Sequence, residues 1–346
     1  MKNLNKLPTF ANGCDSLLSK HLTDTVFAEL KDKHTRNGFD LQQVINSGLI
    51  NTDSSIGVYA GDKASYSTFS ALFDPIIESY HGFKKTEQHQ SNFNPNDLDA
   101  PNPDPENNYI ISTRIRVARN LSALPLGSAI SKRQRKIVER LIVVALNKLQ
   151  GKLAGTYFPL QGMIEAERVK LVADHFLFKA GDRFLEAAGL NREWPEGRGI
   201  FHNDEKTFLV WVNEEDQLRM ISMQMGGDIK AVFSRLSTAV AELETALRFS
   251  KSDHLGYITS CPSNLGTAMR ASVHIKLPRL SKNMPEFEKI AKQYQLQIRG
   301  IHGEHSESQG STYDISNRRR LGVTEVECVQ VLHAGVLALI NREKLF

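Results

Sequence analysis

Apolar positions recur at three- and four-residue spacing over 16–22, 24–31, 41–46 and 64–80, which predicts helices with one buried face. Asp40 with Gln43 reads as a capping box at the head of the third, and Gly48 as its stop. This first part, 1–85, is expected to be a small all-α domain. Residues 86–108 hold Pro95, Pro101, Pro103 and Pro105, repeat at neither helix nor strand period, and are expected to form a linker. From 109 to 346 the pattern mixes. Strand-like runs at 109–117, 208–212, 218–223, 256–260, 271–277 and 296–299 are separated by amphipathic helices. Ser131 with Gln134 caps one helix running to about Leu149. Phe233, Leu236, Val240, Leu243 and Leu247 mark another, and Thr324 with Glu327 caps the last. The expected fold class is α+β: a small all-α N-terminal domain, then a larger domain with a mostly antiparallel sheet flanked by helices.

With 346 residues the chain is long enough for two domains, and 24% charged against 40% hydrophobic residues is ordinary globular composition. The net charge of +4 is mild. The basic clusters 132–136 and 318–320 lack interleaved aromatics and read as solvated faces, so no nucleic-acid partner is expected. The first ten residues carry no signal-like apolar core, and the longest apolar segments are too short for a bilayer, so no membrane partner is expected. Cys14, Cys261 and Cys328 fit neither a disulfide framework nor a zinc site, which points to a reducing, cytoplasmic compartment. No P-loop, protein-kinase or dinucleotide fingerprint is present, so nucleotide phosphates, if bound, must be held by side chains.

The runs 208–212 and 218–223 read as a hairpin whose tip carries Glu214, Glu215 and Asp216, with Arg219 just beyond. Carboxylates on a rigid turn suit substrate orientation or proton transfer, and the bland alternative is a solvated turn. Arg114 and Arg116 lie two apart on a strand and so share a face. Arg270 and Arg299 stand at other strand ends; together these arginines suggest a cationic rim for a polyphosphate, although any one alone reads as a surface ion pair. Cys261 sits where an apolar run breaks into a Pro/Gly loop, as an activated thiol or a small buried hydrophobe. The polar segment 299–311 reads as a mobile loop with a further acid, Glu304, or as a plain surface loop. His302 and His305 lack a third ligand for zinc.

Val212-Asn-Glu-Glu-Asp216, Cys261-Pro-Ser-Asn-Leu-Gly-Thr267 with Arg270-Ala-Ser-Val-His274, Ser112-Thr-Arg-Ile-Arg116, Phe73-Asp-Pro-Ile-Ile-Glu78 and Asp314-Ile-Ser-Asn317 stand in the order found in the phosphagen (guanidino) kinases. The chain resembles that family from about Ser16 to Glu343, nearest to its arginine-specific members. The resemblance implies reversible phosphoryl transfer between ATP/ADP, with Mg2+ held through the nucleotide and water, and a guanidino substrate, L-arginine. It implies Glu215, Glu304 and Cys261 as catalytic residues: the glutamates hold the guanidinium, and Cys261 touches it as a thiolate. Ser55, Ile56, Gly57, Val58 and Tyr59 correspond to the loop that selects the guanidine. The nucleotide would be met by Ser112, Thr113, Arg114, Ile115, Arg116, His175, Arg219, Arg270, Ala271, Ser272, Val273, His274, Arg299, Gly300, Ile301, His302, Gly303 and Glu304. Ser55 and Ile56 replace a glycine and a valine of the arginine-type loop, and Gln217 replaces a histidine. A taurocyamine or other guanidino kinase, a protein-arginine kinase and a non-catalytic nucleotide-sensing module are the alternatives; the protein is expected as a monomer or homodimer.

Overall fold

The computed structural model describes residues 6–300 and 310–346. Its N-terminal part consists of α1 (Leu17–His21), α2 (Asp24–Leu30), α3 (Leu41–Ile50), α4 (Ser65–Thr68) and α5 (Ser70–His81). Ser16, Thr23 and Asp40 each accept an otherwise unpartnered N–H at the first three helix starts, and Gln43 completes the box at Asp40. Gly48 does not stop α3, which runs on to Ile50. A Cβ on Gly48 would lie 2.4 Å from the Gly57 oxygen, so glycine is required there by the close approach of a loop. The helix expected over 64–80 is broken at Phe69.

The larger part runs β1 (Ile110–Arg119), α6 (Lys132–Leu146), β2 (Gly155–Pro159), α7 (Glu165–Ala173), α8 (Arg183–Ala187), β3 (Gly199–Asn203), β4 (Phe208–Val212), β5 (Leu218–Met225) and α9 (Ile229–Glu244). It continues with β6 (Lys251–Ser252), β7 (Gly256–Tyr257), β8 (Met269–Lys276), α10 (Met284–Gln293), β9 (Leu296–Arg299), β10 (Thr312–Asn317) and α11 (Glu325–Lys344). Among the described residues an eight-stranded sheet has the order β2-β3-β4-β5-β1-β8-β10-β9, and every neighbouring pair is antiparallel. The strand expected over 256–260 shrinks to β7, which pairs with β6 and bridges to Gly266. The sheet is therefore antiparallel and helix-flanked, as expected.

One face of the sheet is apolar. Ile115, Val117, Val210, Met220, Ala271, Val273 and Ile315 pack there against Phe233 and Leu236 of α9 and Leu332, Val336 and Leu339 of α11. Each of these side chains larger than alanine, fully buried, contributes roughly 1.5–3 kcal/mol. A second cluster joins the helices to the larger part: Leu18, Phe69, Phe73 and Ile76 pack with Leu185, Leu190, Ile258, Leu265 and Leu321. Segment 86–108 lies along the larger part, where buried Glu325 accepts from Ser91 Oγ and the Asn92 N–H, both at 2.9 Å. No helix among the described residues is long and apolar enough to cross a membrane.

Candidate active site

Strand alternation decides which side chains reach the open face of the sheet. On β1, Ile115 and Val117 enter the core while Ser112, Arg114 and Arg116 take the other side; on β8, Arg270, Ser272 and His274 do so. The register sets Arg116 opposite Arg270, Arg114 opposite Ser272 and Ser112 opposite His274. Further out, Asp314 lies opposite His274 and Arg299 opposite Asp314. The same alternation divides the expected nucleotide set by the direction of its side chains. Thr113, Ile115, Ala271 and Val273 turn to the core side with at most a trace of exposure, and Thr113 Oγ1 is spent on the Gly226 oxygen at 2.8 Å. Their side chains do not face the site.

The hairpin between β4 and β5 carries the acidic turn. Asn213 takes a left-handed φ of 57°, and its Nδ2 donates to the Arg135 and Gly197 oxygens, clamping the turn's base. Arg219 reaches back with Nη1 3.0 Å from Glu214 Oε1 and Nη2 2.8 Å from Glu215 Oε2. Burial pushes the Glu215 carboxyl up to about 7, with Arg219 opposing. Burial also works against the charge on Arg219, but Glu214, Glu215 and Asp216 outweigh it.

A cavity of about 390 Å³ opens in front of this turn. Glu215, Arg116, Arg219 and Arg299 line one side, Cys261 and Asn264 another, and Ser55, Ile56 and Tyr59 close the N-terminal side. The loop bearing those last three is tied from behind: Leu17 N–H donates to Ser55 O, Leu18 N–H to Ile56 O, and Gly48 N–H to Gly57 O. Gly57 packs on Leu18, and Val58 is wholly buried in the helical cluster. A recess of about 40 Å³ shares the Arg116, Arg219 and Glu215 wall and adds Arg270.

Cys261 Sγ lies 3.1 Å from Ser263 Oγ, yet burial and then Glu215 push the thiol up to about 12. A guanidinium bound beside Cys261 would oppose this shift and favour the thiolate that the resemblance implies. The arginines crowd one another. Burial, Arg270 and Arg219 pull Arg114 down to about 10, and burial, Arg219 and Arg270 pull Arg116 down as well. Arg114 Nε and Nη2 are buried without a hydrogen-bond partner among the described residues. A polyanion would relieve both conditions at once. Gly300 is described and buried, whereas Ile301, His302, Gly303 and Glu304 lie outside the described residues.

Two residues join the site without having been expected there. Trp211 on β4 stands 5.4 Å from the Arg114 guanidinium and 5.6 Å from that of Arg219, ring centroid to carbon. Its Nε1 donates to Phe176 O at 2.6 Å, anchoring the segment that carries exposed His175. Hairpin pairing alone puts 211 opposite 219, so this neighbour was readable. The His274 imidazole is pulled down by burial, against Asp314, with Arg114 and His175 adding to the shift. Arg320, from a cluster expected to be solvated, instead lines both cavities and donates through Nη1 to Ser263 O at 3.2 Å and to Asn264 Oδ1.

Known proteins share this architecture. Residues 137–346 match the family model for the ATP:guanido phosphotransferase C-terminal catalytic domain, and residues 12–78 match its N-terminal domain. An arginine kinase of Anthopleura japonica is 56% identical over 333 residues, 95% of this chain; the chain spans about half of that protein, 46%. An arginine kinase of Penaeus vannamei is 52% identical over 335 residues, 96% of this chain and 94% of the relative. Among solved structures, the duplicated taurocyamine kinase from Schistosoma mansoni with bound transition-state-analogue components superposes with a TM-score of 0.90 at 44% identity, covering 95% of this chain and 46% of that one. A lombricine kinase superposes at 0.91 with 39% identity, covering 98% and 94%. The chain belongs to the ATP:guanido phosphotransferase, or phosphagen kinase, family.

Proposed function

We propose that this chain is an arginine kinase, transferring the γ-phosphoryl group of ATP reversibly to a guanidine nitrogen of L-arginine to give phosphoarginine and ADP. One observation carries the reading: a single cavity sets Glu215, Cys261 and the loop of Ser55, Ile56 and Tyr59 beside a fan of arginines. A guanidinium loses its proton only above ~12 and is then alone nucleophilic, so it needs a carboxylate that aligns it and draws off the proton. In this reading Glu215, with Glu304 as its partner, does both. Arg114, Arg116, Arg219, Arg270 and Arg299 hold the phosphates, and the unpartnered nitrogens of Arg114 suit that load. Mg2+ arriving with the nucleotide would supply charge neutralisation to the phosphates that these arginines hold. The new N–P bond forms as the bond from Pγ to the ADP oxygen breaks, and the guanidinium proton passes to carboxylate. Glu214 and Asp216 support the turn. The three free thiols accord with a cytoplasmic location, which belongs to the same proposal.

A second reading, phosphorylation of another guanidine, is favoured by Ser55 and Ile56, which line the acceptor end of the cavity. A coupled assay of ADP formation with L-arginine, taurocyamine, lombricine, creatine and glycocyamine decides. Turnover dependent on both ATP and L-arginine is the expected result. Turnover with another guanidine alone moves the assignment to that acceptor. Tight ATP binding with every guanidine inert overturns the enzymatic reading in favour of nucleotide sensing, and phosphorylation of protein arginines with free arginine inert points to a protein-arginine kinase.

A further inference from the structure

We propose that Asp216 and Ser260 are positioning residues that lock the acidic turn, the Cys261 segment and the acceptor loop into one frame. The proposal rests on the guanidine phosphorylation put forward above and adds the part that fixes its geometry. Asp216 differs from its neighbours in the turn. Glu214 and Glu215 face the cavity, whereas Asp216 is 1% exposed and lines no part of it. Its Oδ1 accepts from the Ser260 N–H at 2.8 Å and from Asn120 Nδ2 at 2.7 Å. Asn120 closes the ring: its Nδ2 also donates to Ile258 O at 3.0 Å, and its Oδ1 accepts from the Gln217 N–H at 2.9 Å.

Ser260 is fully buried and bonded in three directions. Its N–H goes to Asp216, its Oγ donates to Glu215 O at 3.1 Å, and its carbonyl accepts from the Ala60 N–H at 2.7 Å. The residues flanking these contacts are the ones that line the cavity: Glu215, Cys261 and Tyr59. One buried residue thus sets the distance of the carboxylate, the thiol and the acceptor loop from one another. A guanidinium held between these walls transmits any slackening to the reacting nitrogen, where a shift of about 1 Å costs on the order of 100-fold in rate. Burial pushes the Asp216 carboxyl upward, against the hydrogen bonds from Asn120 and Ser260.

This yields a split that separates positioning from service to the nucleotide's metal. Asp216→Asn keeps an Oδ1 acceptor and is expected to stay within about threefold of the parent rate, with the Mg2+ requirement unchanged. Asp216→Ala is expected to lose about 10- to 100-fold in kcat and to raise the guanidine KM, while the KM for MgATP stays put. Ser260→Ala is expected to lose about three- to tenfold in the same pattern. Alkylation of Cys261 by iodoacetamide is read alongside, without turnover, and is expected to quicken in Ser260→Ala and Asp216→Ala but not in Asp216→Asn. Should Asp216→Ala fail to fold, the other two variants still decide. A raised Mg2+ requirement in Asp216→Asn with parental alkylation overturns the proposal, as do parental rates and alkylation in Ser260→Ala. If the parent phosphorylates no guanidine yet alkylation follows the expected pattern, the reaction assignment fails and the lock stands.

Discussion

Glu215 is held between opposing forces, and its titration follows from them. Burial raises its carboxyl from an ordinary 4.5 to about 7, and Arg219 resists. In the proposed reaction only the carboxylate can hold and deprotonate a guanidinium, so kcat/KM for the guanidine is expected to fall about tenfold per pH unit below that value. Glu215→Gln should lose about 10²- to 10³-fold in kcat and flatten this limb of the profile. A parental limb in the variant would assign it to another group. The shift also has a sign for folding. Between 4.5 and about 7 the folded chain keeps a proton that the unfolded chain has lost, so this residue's contribution to stability falls as pH rises through that window. The Tm of Glu215→Gln relative to the parent should therefore climb between about pH 5 and pH 7.5 in a calorimetric series; a falling difference would contradict the assigned shift. The turn, its arginine and the lone cysteine were legible as residue types at given spacings. Arg320 was not, because nothing in a run of three arginines says which one faces a cavity assembled from segments some 260 residues apart, such as 56 and 320. Asp216 stayed ambiguous for the same reason: its partners, Asn120 and Ser260, are distant in sequence.

Elements bring these residues together mainly through alternation and close approach. The alternation of β1 was plain in Arg114-Ile-Arg-Val117, and the three capping boxes at Asp40, Ser131 and Thr324 all form. Strands β2, β3, β6 and β10 escaped because short segments such as Gly199–Asn203 owe their pairing to neighbours rather than to their own pattern. Gly48 was misread for a related reason, since a glycine near a helix end looks like a stop until the loop lying against it is seen. That contact supports a prediction for α3. Gly48→Ala sets a methyl 2.4 Å from Gly57 O and 2.8 Å from Leu18 Cδ2, against backbone that cannot swing aside. The loop 54–59 must move, at a cost of about 1–3 kcal/mol. Denaturant unfolding should show that loss, and steady-state kinetics should show a raised guanidine KM beside an unchanged KM for MgATP. A nucleotide KM that rises in step would mean the loop is not the part displaced.

At the scale of the molecule, the helices and the sheet are joined by packing across the cavity's edge rather than only by the chain running between them. Leu190 belongs to the larger part by sequence yet is 1% exposed within the cluster that includes Phe69, Phe73 and Ile76. Polar contacts run the same way: Asn46 Nδ2 and Ser47 Oγ on α3 donate to the carbonyls of Ala187 and Phe184 on α8, at 2.7 and 2.9 Å. A cluster shared in this way couples the stability of the two parts. Leu190→Ala removes a buried isobutyl group and should cost about 2–5 kcal/mol, depending on how far the site collapses. The informative readout is where that loss appears. Under native-state hydrogen exchange followed by mass spectrometry, amides of α5 should lose protection along with those near Leu190 itself, because opening either side uncovers the same apolar surface. Exchange that quickens only beside residue 190, with α5 at its parental rate, would show that the two parts open independently and that the cavity's walls are aligned by their local hydrogen bonds alone.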